Sequence, residues 1–168
     1  MQYQTIRPRP SPEDEHEYWL CELTGQHPGR RCAEAAYSAF CRERLPLYSQ
    51  FASAATGSAL AGQHLARAVL EGLAAQWLVA LRSASPAAFA WALLTQAITP
   101  YRTDSVRTLY RGLRAGEADA LLLRHRLGCS VAAGGRVMGM SPDAFELLRR
   151  QALANIASVR HMPVADAI

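Results

Sequence analysis

Arginine is the residue type in this chain whose positions suggest a binding site, because a guanidinium group pairs readily with phosphate. All 18 basic residues are arginine, and residues 101–162 hold 10 of them against 5 acidic residues. The net charge of that segment is +5, whereas it is −1 for residues 1–56 and +1 for residues 57–100. A local basic surplus favours binding to a polyanion such as nucleic acid. Arginines that only face solvent on amphipathic helices would give the same basic surplus, so a solvated helix face remains an alternative to nucleic-acid binding.

Helix start and stop residues frame these arginines. An apolar run, Leu121 to Leu123, precedes a basic patch and ends at Gly128, which predicts a helix stop. Ser130 predicts the start of a short helix that Gly139 ends, and Ser141 with Pro142 predicts the start of the last one. From there, apolar residues recur at helical spacing and should face the core: Phe145, Leu148, Ala152 and Ile156.

A short helix, a glycine-containing turn and a capped second helix are the parts of a helix-turn-helix that enters a DNA groove. The pattern therefore predicts a DNA-binding unit in which one serine and five arginines contact DNA. These candidates are Arg124, Arg126, Arg136, Ser141, Arg149 and Arg150.

Enzyme and metal chemistry find little support in the residue types present. Neither a G-x-S-x-G nucleophile turn nor an H-E-x-x-H zinc motif occurs, and Gly134-Gly135 does not follow a strand as a phosphate loop would. The four cysteines are spaced by 11, 9 and 88 residues, without the short pair that zinc sites usually contain. We therefore expect no catalytic residues, no metal and no cofactor.

The remaining elements predict an all-α protein with two helical lobes. Residues 1–30 should be an extension with a short helix from Ser11 to Gly25, and residues 31–98 a first helical domain. In that domain we expect a helix from Arg31 that Pro46 kinks or breaks, a long helix from residue 59 to 82 and another from residue 86 to 98. A linker at 99–104, the helix-turn-helix domain at 105–158 and a tail at 159–168 complete the chain.

The helices within residues 57–100 are apolar nearly all round, with only three charged residues. Helices of that kind are buried, yet a protein of this size has little room to bury both of them. We therefore expect another chain, either a second copy or a protein partner, to cover part of their surface.

The segment ADALLLRHRLGCSVAAGGRVMGMS resembles region four, the promoter-reading domain, of bacterial extracytoplasmic-function sigma factors. Upstream, residues 35–73 are similar to the region-two helices of that family, and residues 85–98 to the helix that follows them. The resemblance covers residues 31–157. It implies a transcription regulator that binds DNA, RNA polymerase core, or both.

The same resemblance implies a second contact surface on the long helix. Where the family carries an acidic face that docks on polymerase, this chain has Gln63, His64 and Arg67, and Trp91 stands near the family's promoter-opening aromatic residues. These four residues are candidate partner contacts, although the helical spacing of Trp91 favours a position in the core. The neutral or basic character of the helix face supports a rival prediction, in which a sigma-like module self-associates or binds another regulator without binding DNA.

Location follows from two features of the sequence. The first 20 residues carry Arg7, Arg9 and an acidic cluster instead of a basic start followed by an apolar core, unlike a secretory signal. The chain lacks a run of about 18 apolar residues long enough to span a bilayer. We therefore expect a cytoplasmic protein without a membrane partner.

Overall fold

The computed structural model describes residues 28–160, and over this range every regular element is a helix or helical turn, which confirms the predicted all-α class. The predicted short helix between residues 11 and 25 and the tail from 161 lie outside the described residues. The helices are α1 Pro28–Thr56, α2 Ala59–Arg82, α3 Pro86–Ile98, α4 Asp104–Gly112, α5 Ala115–Leu121, α6 Val131–Met138 and α7 Pro142–Arg160, with a 3-10 turn at Thr99–Tyr101 and a π-helical turn at Leu122–Arg126.

The contacts within the chain divide it after Ala39. In the described part of the first unit, residues 28–39 are helical, and exposed Arg30 pairs with Glu34 at 3.3 Å. The second unit begins at Phe40 and contains every other element described below.

Proline at position 46 does not break α1, which continues to Thr56. The predicted break is therefore wrong. Proline adopts a helical φ and removes one backbone hydrogen bond, and the next turns of the helix compensate through packing. Tyr48, Phe51 and Ala55 in those turns are at most 1% exposed.

Serine side chains start α2 and α3, and each helix buries a face in the core. Ser58 Oγ accepts the Ala61 N–H at 3.3 Å, and Ser85 Oγ accepts the Ala88 N–H at 3.2 Å. These caps satisfy backbone donors that the first helical turn leaves unpaired. The predicted bounds of both helices are confirmed. The buried residues of α2 recur every three or four positions: Gly62, Ala66, Leu70, Leu73, Trp77 and Ala80.

The opposite face of α2 carries large apolar side chains that no described residue covers. Leu60 is 65% exposed, Leu78 61% and Val79 58%, and Leu81 is also exposed. The apolar composition of this helix predicts that the chain buries it only in part, and the described residues bury one face and leave the other at the surface.

Residues of the two predicted lobes pack against each other on both sides of the short predicted linker. The predicted linker contains the 3-10 turn, and the Thr103 N–H donates to the Ala55 carbonyl at 3.0 Å. The Arg44 guanidinium donates to the Arg136 carbonyl at 2.8 Å, which ties α1 to α6. Helices α3 and α6 also lie in contact. Residues of both predicted lobes therefore belong to one compact unit.

Helices α6 and α7 each start at a predicted serine cap and are joined by a turn at the predicted glycine. Ser130 Oγ accepts the Ala133 N–H and Ser141 Oγ accepts the Ala144 N–H, each at 3.1 Å. Between the helices, Gly139 has a φ of 72°, a left-handed conformation that glycine adopts without strain. Residues 130–156 are therefore two helices joined by a tight turn.

Candidate nucleic-acid interface

The basic patch after α5 lies on an exposed π-helical turn. Arg124, His125 and Arg126 are all exposed there, while Leu122 and Leu123 at the start of the turn are buried. The Arg124 guanidinium donates to the Cys129 carbonyl at 2.9 Å, which holds its side chain beside the loop leading to α6. Local sequence therefore buries the leucines of this segment and leaves its charges at the surface.

Helix α7 is held by an apolar face that matches the prediction. Phe145 and Ala152 are 0% exposed, and Leu148 and Ile156 are half-buried. Phe145 lies directly over α6, where a Cβ placed on Gly134 would meet its ring carbons at 2.9 Å or less. The glycine therefore allows the two helices to approach closely and fixes the direction in which α7 presents its other face.

That other face carries a compact ion-pair cluster, which we call the Glu146 cluster, made of Glu146, Arg149 and Arg150. The Arg149 guanidinium donates to both carboxylate oxygens of Glu146, at 2.7 and 2.8 Å, and Arg150 Nε donates to Oε1 at 3.0 Å. The side chain of Arg150 is 72% exposed, whereas those of Glu146 and Arg149 are 22% exposed. Two arginine charges thus share one carboxylate at the edge of the helix.

The basic turn and α7 together line an open groove of about 620 Å³. Its lining residues are Arg124, His125, Val131, Glu146, Arg149 and Arg150. Three guanidinium groups face one carboxylate, so the net charge of the lining is +2 with histidine counted as neutral. An open, positively charged groove of this kind accepts anionic groups such as phosphates.

Ion pairing keeps the carboxylate of the Glu146 cluster charged. Hydrogen bonds from Arg149 and then Arg150 lower the pKa of Glu146 to about 2, and hydrogen bonding to Glu146 raises the pKa of Arg149. Charged hydrogen bonds of this bidentate form are among the stronger ones in proteins. At neutral pH the cluster is therefore fully ionised, with one net positive charge.

The remaining predicted DNA contacts lie outside the groove lining. Arg126 is exposed on the basic turn and Arg136 is exposed on α6. Ser141 is exposed at the start of α7, but its hydroxyl already accepts a backbone N–H there. The structure thus brings Arg124, Arg149 and Arg150 to one groove and does not bring the other three predicted residues into it.

Three of the four predicted partner contacts are accessible. Gln63, His64 and Arg67 are exposed on α2, on the same helix as the exposed leucines. Trp91 is only 5% exposed, and its ring lies 4.5 Å from that of Phe51, centroid to centroid. The indole of Trp91 is therefore part of the core, as its helical spacing favours, and it does not lie with the three accessible candidates.

Sequence reasoning missed the buried polar network around this tryptophan. The Trp91 indole N–H donates to Asp119 Oδ2 at 3.0 Å, and the Tyr110 hydroxyl donates to Oδ1. The Arg102 guanidinium carbon lies 3.5 Å from the centre of the Tyr110 ring. Burial raises the pKa of Asp119, and the hydrogen bonds from Tyr110 and Trp91 offset only part of that increase. A lone carboxylate in the apolar segment ADALLL was the available clue, since such a group needs buried donors.

Within residues 28–160 the structure contains no cluster of three or more potential metal ligands. Over the same range no helix is both long enough and apolar enough to cross a lipid bilayer.

Comparison with protein-family models, with curated proteins and with solved structures found no match for this chain.

Proposed function

We propose that this protein is a sigma-like transcription regulator that binds duplex DNA through the groove between the basic turn and α7. The observation that carries the proposal is the arrangement of a capped helix-turn-helix beside three guanidinium groups on one open surface. Arginines in such a position contact phosphate oxygens, which contribute most of the affinity for DNA of arbitrary sequence.

The side chains near the start of α7 favour contacts with phosphate over hydrogen bonds to base edges. Leu147 is 55% exposed at the start of α7, and both oxygens of Glu146 are already bonded to arginine. Sequence is read mainly by donors and acceptors that reach base edges. We therefore expect moderate affinity for many sequences and low selectivity among them.

A titration of labelled duplex DNA with the full chain at two salt concentrations tests the proposal. We count three phosphate contacts: Arg124 and the net charge of the Glu146 cluster within the groove, and Arg126, which is exposed beside the groove on the basic turn. Three contacts give a slope of about −2.7 for log K against log salt, or about a 40-fold loss of affinity between about 50 and 200 mM salt. A Kd no better than about 1 mM at the lower salt would reject DNA binding.

A second candidate function is protein interaction through α2, and a specific observation favours it. Three large apolar side chains are exposed close together near the end of this helix: Leu78, Val79 and Leu81. Leu60 is exposed at its start, and Gln63, His64 and Arg67 are exposed between the two ends. A cluster of exposed apolar residues on a helix is typical of a surface that binds another protein. A second copy of the chain or another regulator would then cover it.

Size-exclusion chromatography with light scattering separates the two functions. A dimer that lacks affinity for DNA would favour the interaction module, and a monomer that binds DNA would favour the regulator. Replacing Leu78 and Val79 together by serine should convert a dimer to a monomer if α2 forms the interface. An unchanged dimer would remove α2 from that role.

A further inference from the structure

We propose that Glu146 acts as an internal competitor of DNA phosphate for Arg149 and Arg150, and so limits the affinity of the groove for DNA. This inference rests on the proposed function and goes beyond it, because it assigns the carboxylate a regulatory role in the same groove. Its basis is the Glu146 cluster, in which one side chain occupies both arginines before any ligand arrives.

Carboxylate and phosphate compete for the same geometry. Arginine binds either group through two parallel N–H donors, and Arg149 uses both to hold Glu146 at 2.7 and 2.8 Å. A phosphate approaching the groove would meet donors that are already engaged and a negative charge among them. Glu146 therefore occupies the position that a phosphate oxygen would otherwise take.

Each hydrogen bond of the Glu146 cluster joins two residues of α7. The negative charge of Glu146 also acts on an approaching polyanion, because removing that charge adds the equivalent of one phosphate contact. Counterion release makes such a contact worth about 15-fold in affinity at 50 mM salt and about 4-fold at 200 mM.

The consequence for function is a lower affinity for DNA of arbitrary sequence. A phosphate that enters the groove must displace the carboxylate before it can pair with Arg149 or Arg150, so Glu146 limits the total affinity of the groove.

The test compares the wild-type chain with Glu146→Gln on an arbitrary 20-base-pair duplex at both salt concentrations. Glutamine keeps the shape and removes the charge, so we expect about 15-fold tighter binding at about 50 mM salt and about 4-fold at about 200 mM. The matched control is Glu71→Gln, which removes the same charge from an exposed position on α2. It should change affinity less than 2-fold. Adding Arg150→Gln to Glu146→Gln should abolish the gain.

If the wild type binds and Glu146→Gln binds no tighter, or if Glu71→Gln gives the same gain, the competitor role is overturned while DNA binding stands. If neither wild type nor Glu146→Gln binds at about 50 mM salt, the proposed function fails together with this inference. Circular dichroism of both variants verifies that the comparison is made between folded chains.

Discussion

Replacing Gly134 by alanine should destabilise the protein, although the same change usually stabilises a helix. Alanine is favoured over glycine in a helix interior by about 1 kcal/mol. At this position, however, the three atoms nearest to the new Cβ are ring carbons of Phe145, at 2.9 Å or less. The ring would have to move by about 1 Å to restore an ordinary contact of ~3.5 Å. Phe145 is 0% exposed, so its ring cannot shift without disturbing the close-packed core around it.

Overpacking of a buried contact costs about 1 to 3 kcal/mol. After the gain in helix propensity is subtracted, Gly134→Ala should lower the free energy of unfolding by about 0 to 2 kcal/mol. Gly72→Ala is the matched control, because Gly72 is exposed within α2 and nothing lies within 4 Å of its added Cβ. That variant should gain up to about 1 kcal/mol. The two alanine variants should then differ by about 1 to 3 kcal/mol.

Urea unfolding followed by circular dichroism measures this difference directly. In thermal unfolding it corresponds to roughly 2 to 4 °C for each kcal/mol in a chain of this size. The reasoning would be refuted if Gly134→Ala were stabilised as much as Gly72→Ala. Adding Phe145→Leu to Gly134→Ala supplies a further check, since the smaller side chain should make the alanine less costly than it is beside phenylalanine.

Three further predictions follow from other parts of the structure. Asp119→Ala should cost about 2 kcal/mol in urea unfolding, because the buried Trp91 N–H loses its acceptor; a change below 0.5 kcal/mol would contradict that role. Gly139→Ala should cost more than about 1 kcal/mol in the same assay, because alanine is strained at a φ of 72° and its Cβ would overlap Ala88; equal stability would contradict the turn geometry. The carboxyl ¹³C signal of Glu146 should titrate near pH 2, because its ion pairs lower its pKa. The stability that these ion pairs contribute is complete above the unfolded pKa of about 4.3 and is lost as the pH falls through about 2. A midpoint near pH 4.3 would contradict the pairing.

Local features of the fold could be predicted from the sequence because short-range chemistry determines them. A serine or glycine at a helix end acts on backbone groups within a few residues, so Ser85, Ser130 and Gly139 mark boundaries that the structure confirms. The apolar spacing that follows Ser141 likewise predicted which face of α7 is buried.

Long-range features could not be predicted, because they depend on which helices meet. Nothing near Trp91 in the chain indicates that its indole reaches Asp119, 28 residues away. The cost of Gly134 in a helix is evident from sequence, but its reason is the Phe145 ring that packs on it. The Glu146 cluster is an intermediate case between local and long-range features. Spacings of three and four residues predict such ion pairs, but only once the segment is known to be a helix.

The central claim is that the groove between the basic turn and α7 binds duplex DNA. The most direct test is the affinity of an arbitrary duplex at about 50 mM salt for the wild type and for Arg124→Gln with Arg150→Gln. Removing two exposed guanidinium groups should weaken binding about 200-fold and make the salt slope shallower by about 1.8. Wild-type binding that the double variant reproduces in both affinity and slope would contradict the account.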